Sequence, residues 1–294
     1  MTTLQLNIVA LEDELLDYGY YDLVQSTPFP STDPEQIPVR SSLTFYSAQL
    51  LHSGKSQVYR GTLRDAAGFE KVVICKLIEG DYFSVEYEAD LYCTKLSQAQ
   101  GTFVPRFYGL YTGTIRGSDK PAACILLEDC GDPLNRPLYE QTAVLVLVHI
   151  HVLGISHNDF GPQHVIVDAQ QNIRIVGFDR ANSHTCERTM KVTPYHFPPK
   201  ASEFGCQEIY EALLMAEIWT PSLVAFLGGV VLIESTPDLE SLVAFGQHTA
   251  REFSDDYIEK EARELLAWFR ERYKDRLAIL GFPETDSDDV ETPD

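Results

Sequence analysis

The sequence predicts an α+β chain in a two-lobed arrangement: an antiparallel sheet with one helix in the first lobe, then a mainly helical second lobe. Three observations predict it. Between Leu43 and Cys130 the chain runs in short stretches rich in Val, Ile, Tyr and Phe, punctuated by glycines, as strands are. Among them lies one segment, "SVEYEADLYCTKL", with Tyr87, Leu91, Tyr92 and Leu96 at helical spacing. After Cys130 longer segments of helical character take over. The 294 residues, 44% of them hydrophobic, suffice for one large domain or two lobes. The expected boundaries are an acidic N-terminal extension over 1–40, a first lobe over 41–130, a second over 131–283 and an acidic, disordered tail over 284–294.

In order along the chain, the leader offers one short helix, Leu11 to Leu23, loaded with Glu12, Asp13, Glu14, Asp17 and Asp22. "STPFPSTDPEQIP" follows and reads as an irregular connection. "LTFYSAQLLHS", "SQVYRGTLR" and "EKVVICKLIEG" read as strands, and after the helix "FVPRFYGLYTGT" and "AACILLEDCG" return to strand. "LYEQTAVLVLVHIHVLG" is a mostly buried helix, with His149 and His151 expected as satisfied core histidines. A polar loop and two short strands come next, then the helices "CQEIYEALLMAEIW" and "DDYIEKEARELLAWFRERYKDRLAIL". The last aligns Ile258, Ala262, Leu265, Phe269 and Tyr273 in one stripe, with Ser254 placed to cap it. The tail "ETDSDDVETPD" lacks large hydrophobes.

The charge balance excludes some functions. With 44 acids against 23 bases the net charge is −21, a surface that repels phosphate backbones, so no nucleic-acid partner is expected. The apolar runs Leu223 to Ile233 and Ala143 to Ile155 are too short or too interrupted to span a bilayer, so no membrane partner is expected either. The six cysteines form no C-x-x-C pair and match no zinc spacing. Without a signal peptide they read as reduced thiols of an intracellular protein, cytoplasmic or nuclear.

Two segments suggest phosphate chemistry. "SGKS", Ser53 to Ser56, resembles the end of a Walker A loop, but Gln49 stands where the wrapping glycine belongs and a strand follows where a helix is needed. The layout of strand, small-residue turn with Ser53, Lys55 and Ser56, then Val58 and a second strand suits a nucleotide-covering hairpin better. Lys76 sits mid-strand in "VVICKL", and the helix after it offers Glu86 and Glu88 as partners. The ordinary reading is a packed stem and a snorkelling amine. Further on, "HNDFGPQHVIV" and, about ten residues later, "IRIVGFDRA" complete the series.

This order resembles the protein-kinase-like fold, in particular the short, divergent kinase-like proteins common in fungi, over roughly Leu43 to Trp219. The resemblance implies that Lys76 holds the α- and β-phosphates of ATP, with Glu88, or its rival Glu86, as helix partner. It implies that Asp159 is the catalytic base, that His157 packs behind its loop, and that Glu128 to Cys130 contact the adenine. The family's glycine positions in the hairpin are Leu51, Ser53 and Ser56 here. Its two metal ligands are also replaced, the asparagine by His164 and the aspartate by Gly177. Mg²⁺ wants oxygen ligands, and imidazole suits Mn²⁺ or Zn²⁺ better. Asp179, two residues on, is placed to supply a carboxylate through a shifted register; otherwise it pairs with Arg180 or caps the next segment. With the pocket otherwise intact, restoring the lost ligand by Gly177→Asp is expected to create or strengthen Mg²⁺-dependent ATP binding. Three functions follow in order: a pseudokinase binding nucleotide weakly and acting through a protein partner; an active phosphotransferase serving a Ser/Thr or small-molecule hydroxyl with a metal at Asp179 or His164; an interaction module without nucleotide.

Overall fold

The computed structural model describes residues 2–9, 18–27, 42–116, 119–134, 141–232 and 238–279. The chain divides into two compact units, Met1–Pro137 with Thr142–Cys186, and Leu138–Gln141 with Glu187–Asp294.

The first unit is built on seven strands: β1 (Thr3–Val9), β2 (Tyr18–Thr27), β3 (Ser42–Ser53), β4 (Gln57–Asp65), β5 (Glu70–Glu79), β6 (Phe107–Ile115) and β7 (Pro121–Glu128). They close into a barrel in the order β1-β2-β6-β7-β5-β4-β3. Neighbours run antiparallel except at the seam, where β1 lies parallel to β3 from Thr3 opposite Ser42 to Leu6 opposite Phe45. Side chains alternate across a strand, so each strand sends every second residue inward. Leu4, Leu6 and Ile8 of β1, Tyr21 and Leu23 of β2, Phe45, Tyr59, Cys75 and Leu126 all enter the interior.

This overturns the expected architecture. The sheet is a closed mixed barrel, not the sheet of a two-lobed kinase-like fold, and the second half is not mainly helical. Among the described residues, seven short strands accompany five helices after residue 131. The cause lies in the first 27 residues. The alternation of Leu4, Leu6 and Ile8 with exposed Gln5 and half-buried Asn7, and of Tyr21 and Leu23 with exposed Asp22, has the period of two of a half-buried strand. The acidic composition led to reading this stretch as an extension, yet it supplies the two strands that close the barrel. The helix expected over Leu11 to Leu23 is strand from Tyr18 on; residues 11–17, most of the proline-rich connection and the 284–294 tail lie outside the described residues.

Helix α1 (Phe83–Cys93) packs on the barrel's outside and buries Val85, Glu88, Ala89, Leu91 and Tyr92. The first unit runs past residue 130, where β8 (Asp132–Pro133) pairs with β10 (Val165–Val167), which pairs in turn with β11 (Ile173–Ile175). Helix α2 (Gln141–Val152) leads into β9 (Ile155–Ser156), which pairs with β12 (Asn182–Ser183). The polar loop expected between Gly154 and Ala181 is thus held at both ends by β9 and β12.

The second unit contains α3 (Ala201–Phe204), α4 (Gln207–Met215), a hairpin of β13 (Leu223–Phe226) and β14 (Gly229–Leu232), α5 (Leu239–Thr249) and α6 (Asp255–Ile279). The apolar run from Leu223 is therefore a hairpin, with Val224 and Phe226 buried and Leu223, Val230 and Leu232 exposed. Both long helices carry caps: the Ser241 amide donates to Asp238 Oδ1 at 2.7 Å and the Tyr257 amide to Ser254 Oγ at 3.3 Å. The expected stripe of α6 packs inward through Ile258, Ala262 and Phe269, joined by Leu266. Among the described residues, no helix is long and apolar enough to cross a membrane.

Candidate functional site

Three strands place Lys76 before any contact is considered. In register, Val58 of β4 faces Lys76 of β5, and Lys76 faces Ile125 of β7. Their sequence neighbours Tyr59, Cys75, Cys124 and Leu126 fill the interior, so this row lies on the barrel's outer face. There it meets α1. Val85, Glu88, Ala89 and Tyr92 follow each other at helical intervals on the buried side, whereas Glu86 is exposed. Glu88 is 0% exposed and is Lys76's helix partner: Lys76 Nζ donates to Glu88 Oε2 at 2.6 Å. The other carboxylate oxygen, Oε1, accepts the Phe178 amide at 3.1 Å. A buried charge survives only when its hydrogen bonds are made, and both oxygens of Glu88 are used.

Phe178 belongs to the loop that brings the second carboxylate. Asp179 Oδ1 lies 3.2 Å from Lys76 Nζ. It does not pair with Arg180 in the structure; Arg180 Nη1 instead lies 3.5 Å from Asp159 Oδ1. His157 is fully buried and receives the Asp159 amide on Nδ1 at 3.3 Å, while its Nε2–H donates to the Val176 carbonyl at 2.9 Å. His157 thus ties the Asp159 turn to the strand before Gly177. Its ring also packs on Phe178, with centroids 5.0 Å apart.

His164 and Gly177 form one arrangement. His164 Nδ1–H donates to the Asp159 carbonyl at 2.6 Å, so the neutral ring carries its lone pair on Nε2. That nitrogen lies 4.0 Å from Asp159 Oδ2. Gly177 has φ +83°, and a Cβ built there would come within 2.5 Å of His164 Cδ2 and 2.8 Å of Nε2. The imidazole occupies the volume that a side chain at 177 needs. The two positions where metal ligands were sought are one space, filled once.

The remaining residues lie apart from this cluster or are otherwise engaged. Ser53 and Lys55 are exposed and Ser56 half-buried on the β3–β4 turn, where the Gly54 amide donates to the Ser56 carbonyl at 3.1 Å. Glu128 accepts Arg106 Nη1 at 2.8 Å, and its amide donates to the Arg106 carbonyl at 2.9 Å. Cys130 is buried, which pushes its thiol up to about 12, and its Sγ–H lies 3.7 Å from the Glu128 carbonyl. Of the Glu128 to Cys130 backbone expected to meet adenine, the Glu128 amide is thus already engaged. Arg60, which sequence reasoning passed over, clamps the following turn through Asp129 at 2.9 Å, Asp132 at 2.9 Å and the Gly131 carbonyl at 2.7 Å.

Electrostatics bind the cluster together. Burial alone would lower the Lys76 pKa, but the charges of Glu88 and Asp179 outweigh it and hold the ammonium above the ordinary lysine range. Burial alone would raise Asp179, but Lys76 outweighs that and holds it below the ordinary aspartate range. A depressed carboxylate contributes stability above its unfolded pKa, about 3.9, that is lost as pH falls through the folded value. A raised lysine contributes stability below its unfolded pKa, about 10.4, that is lost as pH rises through the folded value. Asp179→Asn is accordingly expected to flatten the acid limb of stability measured by urea unfolding. Unchanged acid limbs would show that the Lys76–Asp179 contact contributes nothing.

A scan against protein-family models finds no match for this chain, and a search of curated proteins finds none.

Proposed function

We propose that the first unit binds the phosphates of a nucleoside triphosphate such as ATP at Lys76, weakly and without requiring Mg²⁺, and that it acts through a protein partner rather than by turnover. One observation carries the reading: the two carboxylates on Lys76 are unequal. Glu88 is sealed by α1 and the Phe178 amide, whereas the Asp179 side chain is 28% exposed. A phosphate can replace Asp179 on the ammonium while Glu88 keeps the lysine aimed. In a chain of charge −21, a cation held at a fixed place is what an anionic ligand needs. Arg180, with its side chain 68% exposed nearby in sequence, supplies a second cation.

Binding is favoured over turnover by Asp159. A catalytic base must reach the proton it removes, but this carboxylate faces Arg180 and lies near the His164 ring. The phosphotransferase reading draws on a different observation, the Nε2 of His164, which the ring's hydrogen bond to the Asp159 carbonyl leaves unused. An imidazole and a carboxylate together suit Mn²⁺ or Zn²⁺ better than Mg²⁺.

Thermal unfolding with ATP, alone and with Mg²⁺ or Mn²⁺, separates the readings. ATP at a hundred times its dissociation constant stabilises by about 2.7 kcal/mol, a rise of about 5–10 °C for a domain of this size. A rise with ATP alone that disappears in Lys76→Met is the expected result. A rise only with metal would place phosphotransfer first. An unchanged transition under every condition would leave an interaction module without nucleotide.

A further inference from the structure

The most informative unassigned cluster lies at the base of the loop that carries the candidate site. His151 lies in the last turn of α2, and His184 and Cys186 follow β12. Their ligand atoms, two imidazole nitrogens and one thiol sulfur, lie within 4.8 Å of one another. No spacing in the sequence announces this, since 32 residues separate His151 from the His-x-Cys pair. We propose that His151, His184 and Cys186 form a Zn²⁺ site of the first unit.

The chemistry of the donors selects the ion. Two imidazoles and a thiolate are the mixed nitrogen and sulfur set that Zn²⁺ takes, and Mg²⁺ and Ca²⁺ refuse. Tetrahedral Zn²⁺, with bonds of about 2.0–2.3 Å, needs its donors about 3.3–3.8 Å apart. The observed spread exceeds that by about 1 Å. The two imidazoles already adjoin edge to face, with ring centroids 4.8 Å apart and planes at 78°.

The backbone beneath the cluster is fixed without the ion. The His184 amide donates to the Gly154 carbonyl at 3.0 Å, and Ser183 pairs with Ile155 across β9 and β12. Lys95 Nζ bridges the Gly154 carbonyl at 2.7 Å and Ser183 Oγ at 2.9 Å. His151 is 2% exposed at the end of α2, so its ring is held by packing. The donors are thus brought together by hydrogen bonds and packing that a metal need not create.

The placement gives the ion a structural effect. His151 and the pair 184–186 are the two feet of the segment bearing Asp159, His164, Gly177 and Asp179. An ion there closes that loop, and closing a long loop removes more freedom from the unfolded chain than closing a short one. Bound Zn²⁺ stabilises the folded unit because the donors are assembled only there.

The full-length protein, stripped with a chelator and titrated with Co²⁺, tests this directly. The expected spectrum has the intense visible bands of tetrahedral Co²⁺ and a sulfur-to-metal band in the near ultraviolet. Zn²⁺ displaces both, and native mass spectrometry counts the ion at this site. Cys186→Ser should remove or markedly weaken the sulfur band, and both it and His184→Gln should lower Co²⁺ affinity by about tenfold or more. Far-ultraviolet circular dichroism confirms that each variant is folded; His151 is too buried to serve as the variant. A measurement without substitution accompanies these: Zn²⁺ should slow alkylation of Cys186, read by peptide mass spectrometry. Absence of the Co²⁺ bands, Co²⁺ binding unchanged in both folded variants, or alkylation of Cys186 indifferent to Zn²⁺ would each overturn the assignment.

Discussion

Glu88→Ala is expected to cost about 3–5 kcal/mol of folding stability, measured by urea unfolding at neutral pH. Two losses combine. Lys76, which is 8% exposed, keeps only Asp179 against its charge. The Phe178 amide, which now donates to Glu88 Oε1, is left without its acceptor. Glu86→Ala, two residues away but on the exposed side of α1, should change stability by no more than about 0.5 kcal/mol. The contrast isolates burial, since both substitutions remove a carboxylate from the same helix. A double variant, Lys76→Met with Glu88→Leu, should recover part of the loss, because replacing a buried ion pair by apolar groups is far cheaper than breaking it. Recovery will be incomplete, for Asp179 then faces no cation. A loss below about 1 kcal/mol for Glu88→Ala would mean that the pair does not hold α1 to the barrel.

The parts legible in the sequence are those written by local period. A lone lysine in the apolar strand "VVICKL" and a following helix with a glutamate twelve residues on are visible without a structure. The choice between Glu88 and Glu86 was not: the stripe visible in the sequence was Tyr87, Leu91, Tyr92 and Leu96, and it is burial beside Val85, Ala89 and Tyr92 that selects Glu88. Helix α6, its cap and its apolar stripe were likewise readable. The barrel was not, because its closure depends on β1 meeting β3 in parallel across some forty residues. No local pattern encodes which strand edge meets which. The acidic residues between β1 and β2 further disguised two core strands as an appendage. In the site, the pairing of Arg180 with Asp159 rather than with adjacent Asp179 depends on how the short 3-10 turn Phe178–Arg180 directs its side chains. The convergence of His151, His184 and Cys186 depends on the β9–β12 pairing, which two-residue strands do not announce.

Gly177→Asp should destabilise the protein by about 2–4 kcal/mol and bring no Mg²⁺-dependent ATP binding, the reverse of what the sequence alone suggested. The backbone contributes through φ +83°, a conformation that L residues adopt at a cost. Packing contributes through His164, whose ring would stand 2.5 Å from the new Cβ. The ring cannot swing aside cheaply, because its Nδ1–H is bound to the Asp159 carbonyl at 2.6 Å. Removing the ring should therefore help the variant although it harms the parent. His164→Ala alone loses packing and a hydrogen bond; added to Gly177→Asp, it opens the space that the carboxylate needs. The double variant should be about 1–2 kcal/mol more stable than Gly177→Asp, with the left-handed backbone cost remaining. This reversal of sign, read from a double-mutant cycle of urea midpoints, measures the shared volume directly. The same four proteins, titrated with ATP and Mg²⁺, separate space from chemistry. Metal-dependent binding in the double variant alone would mean that His164 excluded the ligand from this site. Its absence there too would mean that one restored carboxylate beside Asp179 is too few oxygens for Mg²⁺. A Gly177→Asp protein as stable as the parent would refute the packing of His164 against position 177.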